Sequence, residues 1–172
     1  MGTLQNLGLA AVALLTASGA SADDQPGNSF EAALLEEHNS ARAEVGIPAL
    51  HWSRELEREA ADWAADLARN GVLQHADVQR RHGAGENLWA GSSGYYDAHE
   101  MVGLFVEERR NYRHRAFPDV SITGNWADVG HYTQIVWRDT QQVGCALARG
   151  DREEFLVCRY WPAGNYMGQF AF

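Results

Sequence analysis

Three observations predict an α+β fold for this chain. Helical apolar spacing is confined to roughly its first two-thirds, two strand-like runs joined by turn residues lie near its end, and glycine-containing irregular stretches separate the two. The first helix is expected over Asn28 to Val45. Asn28 and Glu31 have capping-box spacing, Leu34, His38, Ala41 and Val45 recur at helical intervals, and Gly46 and Pro48 stop the run. A second helix is expected over Ser53 to Arg69, where Leu56, Ala60, Trp63, Ala64 and Leu67 form one apolar face and Asn70-Gly71 ends it. A third spans Asp97 to Tyr112, opened by the pair Asp97 and Glu100. Val72 to Tyr96 and Arg113 to Val129 have little periodicity. Tyr132 to Trp137, Gln142 to Arg149 and Glu154 to Trp161 are β-branched or aromatic and are expected to be strands.

The first 22 residues carry no charge, contain the apolar run Leu7 to Leu15, and end in Ala20-Ser21-Ala22. This is the pattern of a signal peptide cleaved after Ala22, although no basic residue opens it. Residues 1–22 are therefore expected to be a leader and 23–172 a single domain of about 150 residues, with secretion to the periplasm or the extracellular medium. No second apolar stretch offers a transmembrane segment. The net charge of −9 opposes general nucleic-acid binding, which needs a basic face. All 14 basic residues are arginine, a compositional bias that fits a bacterial exported protein.

The two cysteines are Cys145 and Cys158. A hairpin centred between Asp151 and Arg152 puts them directly opposite one another, at the separation a disulfide needs, and export supplies the oxidising compartment. The alternative is a pair of buried thiols.

Met101, Phe105, Glu108 and Tyr112 are spaced by 4, 3 and 4, so Glu108 falls on the apolar stripe of the third helix. A buried carboxylate needs a cation, a histidine or a wet cavity beside it; a stripe-edge Glu reaching water is the plainer alternative. Elsewhere the chain reads Leu73-Gln74-His75, Gly85-Glu86-Asn87-Leu88, Gly130-His131-Tyr132-Thr133-Gln134-Ile135-Val136-Trp137, and Cys158 to Gly168 as CRYWPAGNYMG. From about Leu34 onward these segments resemble the CAP superfamily of cysteine-rich secretory, antigen 5 and pathogenesis-related class 1 proteins. The resemblance implies a three-layer α-β-α sandwich and a cavity of two histidines and two glutamates. In this sequence the four are His75, Glu86, Glu108 and His131. Phe105 stands where tryptophan is more usual in the family.

Two imidazoles and two carboxylates suit Zn²⁺ or another divalent cation. The resemblance implies histidines that ligate directly and glutamates that act through hydrogen bonds or water. An ion-free Glu–His network is the alternative. The function expected is a secreted, non-enzymatic binding module for a small apolar ligand, sterol or fatty acid, or for a cell-surface partner. A metal-assisted hydrolase using the same four residues is the second reading. Trp89, Tyr95, Tyr96, Trp126, Tyr132 and Trp161 are candidate groove walls, or simple sheet cover in the case of Tyr132 and Trp161. His38, Asn39 and Arg42 resemble a structural segment of the family's first helix. His99-Glu100 lacks the second histidine of a zinc-protease motif, and Gly91-Ser92-Ser93-Gly94 is followed by Tyr95 rather than completing a nucleophile elbow.

Overall fold

A computed structural model describes residues 25–172. The expected leader, residues 1–22, lies outside the described residues. The elements run α1 (Ser29–Glu44), β1 (His51–Trp52), α2 (Arg54–Asn70), β2 (Gly85–Ser92), α3 (Ala98–Glu107), α4 (Gly130–Ile135), β3 (Gln142–Arg149) and β4 (Glu153–Trp161). Tight single turns at Glu108–Asn111 and Trp126–Asp128 follow α3 and precede α4.

Local chemistry explains the helix ends. The Asn28 side chain accepts from the Glu31 N–H at 2.9 Å, while the Glu31 carboxylate accepts from the Gly27 N–H and from the Asn28 side-chain amide rather than from the Asn28 backbone N–H. Ser53 caps α2, which closes on Gly71 at φ 65°, a conformation glycine adopts without a Cβ penalty. Asp97 and Glu100 form a reciprocal capping box on α3. That helix stops at Glu107 and tightens into the Glu108–Asn111 turn, short of the expected Tyr112.

The four strands form one sheet in the order β1-β3-β4-β2. β3 and β4 pair antiparallel with Cys145 opposite Cys158, and these two cysteines are disulfide-bonded. Alternation along β4 sends Phe155, Val157 and Arg159 to one face and Leu156, Cys158 and Tyr160 to the other. The first face packs on Ala60, Trp63, Ala64 and Leu67 of α2. The second packs on Leu34, Met101, Phe105 and Ile135 from α1, α3 and α4. The result is the three-layer sandwich, α2 on one side and the remaining helices on the other. On β3, Gly144 touches α2 directly: a Cβ there would sit 2.3 Å from Glu57 N and 2.5 Å from Ser53 O.

Two expectations fail. Val72 to Tyr96 is not wholly irregular, because it contains β2, which makes eight register pairs with β4. Gly85, Asn87 and Gly91 depress its strand propensity, and pairing with β4 overrides that. Tyr132 to Trp137 is not a strand. Gly130–Ile135 is helical, and Tyr132, Thr133, Gln134 and Ile135 are all buried. Its preceding residue, Val129, offers no side-chain cap; the Glu108 carboxylate receives the first N–H groups instead.

Arg42 anchors the other end of this segment. Its guanidinium donates to the carbonyls of Pro48, Ile135, Trp137 and Thr140 at 2.7 to 2.9 Å. Burial lowers its pKa to about 10, so it remains a cation beside carbonyls that have no helical partner. Asn39 accepts from Leu50 N–H and donates to Leu50 O. The His38, Asn39 and Arg42 pattern is thus accounted for by the fold.

Candidate functional site

β2 is an edge strand, and its consecutive residues Glu86 and Asn87 point to opposite faces. On the α2 side, Glu86 Oε1 accepts from His75 Nδ1 at 2.6 Å and from Ala76 N–H at 3.1 Å. On the α4 side, Asn87 Nδ2 donates to the carbonyl of His131 and to the Tyr160 hydroxyl, both at 3.1 Å. One strand edge therefore holds a histidine segment from each layer of the sandwich.

His131 is fixed by three further contacts. Its Nδ1 donates to Glu108 Oε1 at 2.6 Å, and its backbone N–H donates to Glu108 Oε2 at 2.9 Å. Phe105 stacks on the imidazole, with centroids 4.6 Å apart and planes 25° from parallel. The expected Glu108 stripe position is therefore real, and its compensation is His131 and the start of α4. Tyr132 N–H supplies a third bond to the same carboxylate at 3.1 Å.

His75, Glu86 and His131 line one cavity of about 600 Å³. Glu108 is not among the lining residues and stands behind His131. A carboxylate accepts and does not donate, so in the neutral ring each Nδ1 carries the proton and each Nε2 presents its lone pair. Neither Nε2 has a hydrogen-bond partner among the described residues. A larger depression of about 850 Å³, between the end of α2 and the β3–β4 turn, contains no histidine.

No three of the four predicted residues gather donor atoms into a compact set among the described residues. The trio that does so, within 4.8 Å, is His38 with Cys145 and Cys158. Those sulfurs form the disulfide and offer no thiolate. His38 is instead part of a buried polar chain. Tyr160 donates to His38 Nε2 at 2.8 Å, and His38 Nδ1 donates to Leu34 O at 2.7 Å. Burial drives the His38 pKa down to about 4, against a smaller opposing effect of the Leu34 hydrogen bond; burial also pushes the Tyr160 hydroxyl well up. The chain Asn87 to Tyr160 to His38 links the cavity wall to α1.

A family model of cysteine-rich secretory proteins, CAP, matches residues 35–160. The chain belongs to the CAP family. Pathogenesis-related protein 1A of Nicotiana tabacum is 37% identical over 136 residues, covering 78% of this chain and 76% of its own. Pathogenesis-related protein PRMS of Zea mays is 37% identical over 137 residues, covering 78% and 77%. The crystal structure of NaASP2 with Zn²⁺ superposes with a TM-score of 0.70 at 26% identity, covering 86% of this chain and 89% of that one. BmVAL-1 gives 0.69 at 24% identity, over 87% and 86%, and supports the fold alone.

Within this CAP domain the aromatic expectation needs correction. Of the six candidate groove residues only Trp126 lines the cavity. Tyr132 is buried against Tyr112, Trp89 packs on Tyr96 beside Tyr95, and Trp161 stands over a separate hollow. The cavity lining also includes Phe117, Tyr166 and Met167: Phe117 lies in a segment without periodicity, and Tyr166 and Met167 sit inside the quoted CRYWPAGNYMG run without having been singled out. Asn87 and Gln134 were also missed, although both sit inside the quoted motifs. Gln134 Oε1 accepts from Gly164 N–H at 2.9 Å and lies where a Cβ on Gly85 would fall, which explains the glycine there. His82 pairs with Glu59 at 2.9 Å and not with Glu86.

Proposed function

We propose that this CAP protein is a secreted, non-enzymatic binding module whose cavity takes a divalent cation on His75 and His131. One observation carries the reading: two imidazoles line a single cavity, each held at 2.6 Å by a carboxylate so that its Nε2 is left for a ligand. Carboxylate-oriented imidazoles are the usual support for zinc-ligating histidine. The donor chemistry fits Zn²⁺, and the zinc-containing crystal structure of the related NaASP2 adds support. His75 and His131 would hold the ion, and Glu86 and Glu108 would orient them. When bound, the ion supplies a Lewis-acidic point in the cavity for a ligand oxygen or nitrogen.

The rim favours an amphipathic ligand. Trp126, Tyr166 and Met167 are 44%, 49% and 69% exposed and share the cavity with His75, Asn87, His131 and Gln134. A fatty acid fits this arrangement, with its carboxylate at the imidazoles and its chain across the rim; a sterol would meet the same apolar surface. Binding is favoured over metal-assisted hydrolysis because the carboxylates are already committed. Glu108 uses both oxygens on His131 and Tyr132, and Glu86 uses one on His75 and Ala76 and sets the other against Arg159. Glu108 stands outside the cavity lining and the Glu86 side chain has no exposed surface, so neither carboxylate is presented to cavity water as a base.

Calorimetric titration of Zn²⁺ into the wild type and into His75→Ala and His131→Ala tests the reading. One-site binding that weakens at least tenfold in each variant is expected. Affinity unchanged in both variants would overturn it. Displacement of a fluorescent fatty acid, compared between wild type and Trp126→Ala, tests the ligand class.

A further inference from the structure

Arg159 is an unusual occupant of its place. It follows Phe155 and Val157 on the α2-facing side of β4, where packing calls for an apolar residue, yet it is 1% exposed. Its Nη2 lies 3.0 Å from Glu86 Oε2, without the alignment of a hydrogen bond, and Nε and Nη1 have no hydrogen-bond partner. The Glu86 side chain is fully buried. A buried ion pair is a poor way to gain stability, since desolvating both charges offsets their attraction. Apolar residues of similar volume on β4 would serve the core at least as well.

The pair does have a directional consequence. Glu86 Oε1 faces His75 Nδ1 and Ala76 N–H, and Arg159 sits against the opposite oxygen. His75 itself belongs to no helix or strand, and its side chain is 59% exposed, so the Glu86 carboxylate is what fixes the ring. The two histidines are thus oriented by different means. The Glu108 carboxylate is gripped by two backbone N–H groups of α4, whereas the Glu86 carboxylate leans on one backbone N–H and a buried guanidinium.

We infer that Arg159 is a positioning residue for the metal cavity: it locks Glu86 in the orientation that holds His75 with its proton on Nδ1 and its Nε2 lone pair toward the cavity. This rests on the metal reading above for its functional meaning, and its structural core is testable in the ion-free protein. Outer-shell partners of this kind change metal affinity by roughly 10- to 100-fold.

Four proteins separate the possibilities: wild type, Arg159→Lys, Arg159→Met, and the double variant Arg159→Met with Glu86→Gln. Long-range proton–nitrogen NMR of the ion-free proteins in alkaline buffer reads the His75 tautomer. The Nδ1–H form should dominate in wild type and give way to a mixture in Arg159→Met. Zn²⁺ affinity should fall about tenfold or more in Arg159→Met and recover in part in Arg159→Lys. The double variant removes both buried charges, so thermal stability should return toward wild type while Zn²⁺ affinity stays low. If affinity returns with stability, or if the His75 tautomer is the same in all four, Arg159 is merely structural and the inference is wrong. Should His75→Ala leave Zn²⁺ binding intact, the metal reading fails instead, and the tautomer measurement still decides the role of Arg159.

Discussion

Glu108 grips His131 at two points, the ring at 2.6 Å and the backbone N–H at 2.9 Å, and so joins a side-chain orientation to the start of a helix. The same carboxylate takes the Tyr132 N–H. α4 has no capping side chain of its own, so Glu108 performs that role across the fold. Replacing Glu108 with Ala should destabilise the protein by about 2 kcal/mol, the cost of leaving part-buried donors unpaired. Urea denaturation with tryptophan fluorescence measures this, and Glu108→Gln should lose less. The His131 ring should also gain mobility, seen as altered imidazole NMR relaxation.

His38 makes stability depend on pH. Its pKa is near 4 in the folded protein and 6.5 when exposed, so between these values the unfolded chain binds more protons. The contribution is fully present above about pH 6.5 and is lost as pH falls toward 4, amounting to about 3 kcal/mol in total. Urea melts from pH 4 to 7.5 should show this slope in the wild type. His38→Gln should flatten it while lowering stability at neutral pH.

Gly144→Ala tests the closest approach between α2 and the sheet. The new Cβ would meet backbone atoms of Glu57 and Ser53, which cannot turn aside as a flexible side chain does. A loss of about 2–3 kcal/mol is expected. A melting temperature equal to wild type would show that α2 can shift without cost.

Reducing Cys145–Cys158, or replacing both with Ser, opens a short loop whose closure stabilises the fold by about 3 kcal/mol in the chain-entropy model. Denaturation with and without a thiol reductant gives the value. The cavity-lining residues His75, Glu86 and His131 lie on the loop after α2, on β2 and on α4, so Zn²⁺ affinity of the reduced protein should change less than its stability.

Much of this fold was legible in local pattern. The helix starts at Asn28, Ser53 and Asp97 and the stop at Gly71 follow from residues within a few positions of one another, and the Cys145–Cys158 register follows from a single turn between positions 13 apart. Such signals act through short-range hydrogen bonds and backbone preferences, which the chain encodes wherever it is folded. The motif resemblance added His75, Glu86, Glu108 and His131, three of which do line one cavity.

Two elements were misread for the same reason. Gly130–Ile135 carries strand-forming residues but is helical because Glu108, 22 positions before its first residue, accepts from its N–H groups and Arg42 donates to its last carbonyl, that of Ile135. Gly85–Ser92 is poor in strand-forming residues, Trp89 being the exception, but pairs with β4, more than 60 positions away. In both cases the deciding partner is remote, so no local window contains it.

The amino-acid order by itself determined the capped helices, the disulfide hairpin and the α+β class, because each rests on neighbours in the chain. Only the tertiary structure decided that Glu86 and Asn87 would clasp histidines from two layers, that Arg159 would stand behind one of them, and that the apolar rim would come from Trp126, Tyr166 and Met167. Those relationships are distances between distant segments, and they exist only once burial of both sheet faces has brought the layers together.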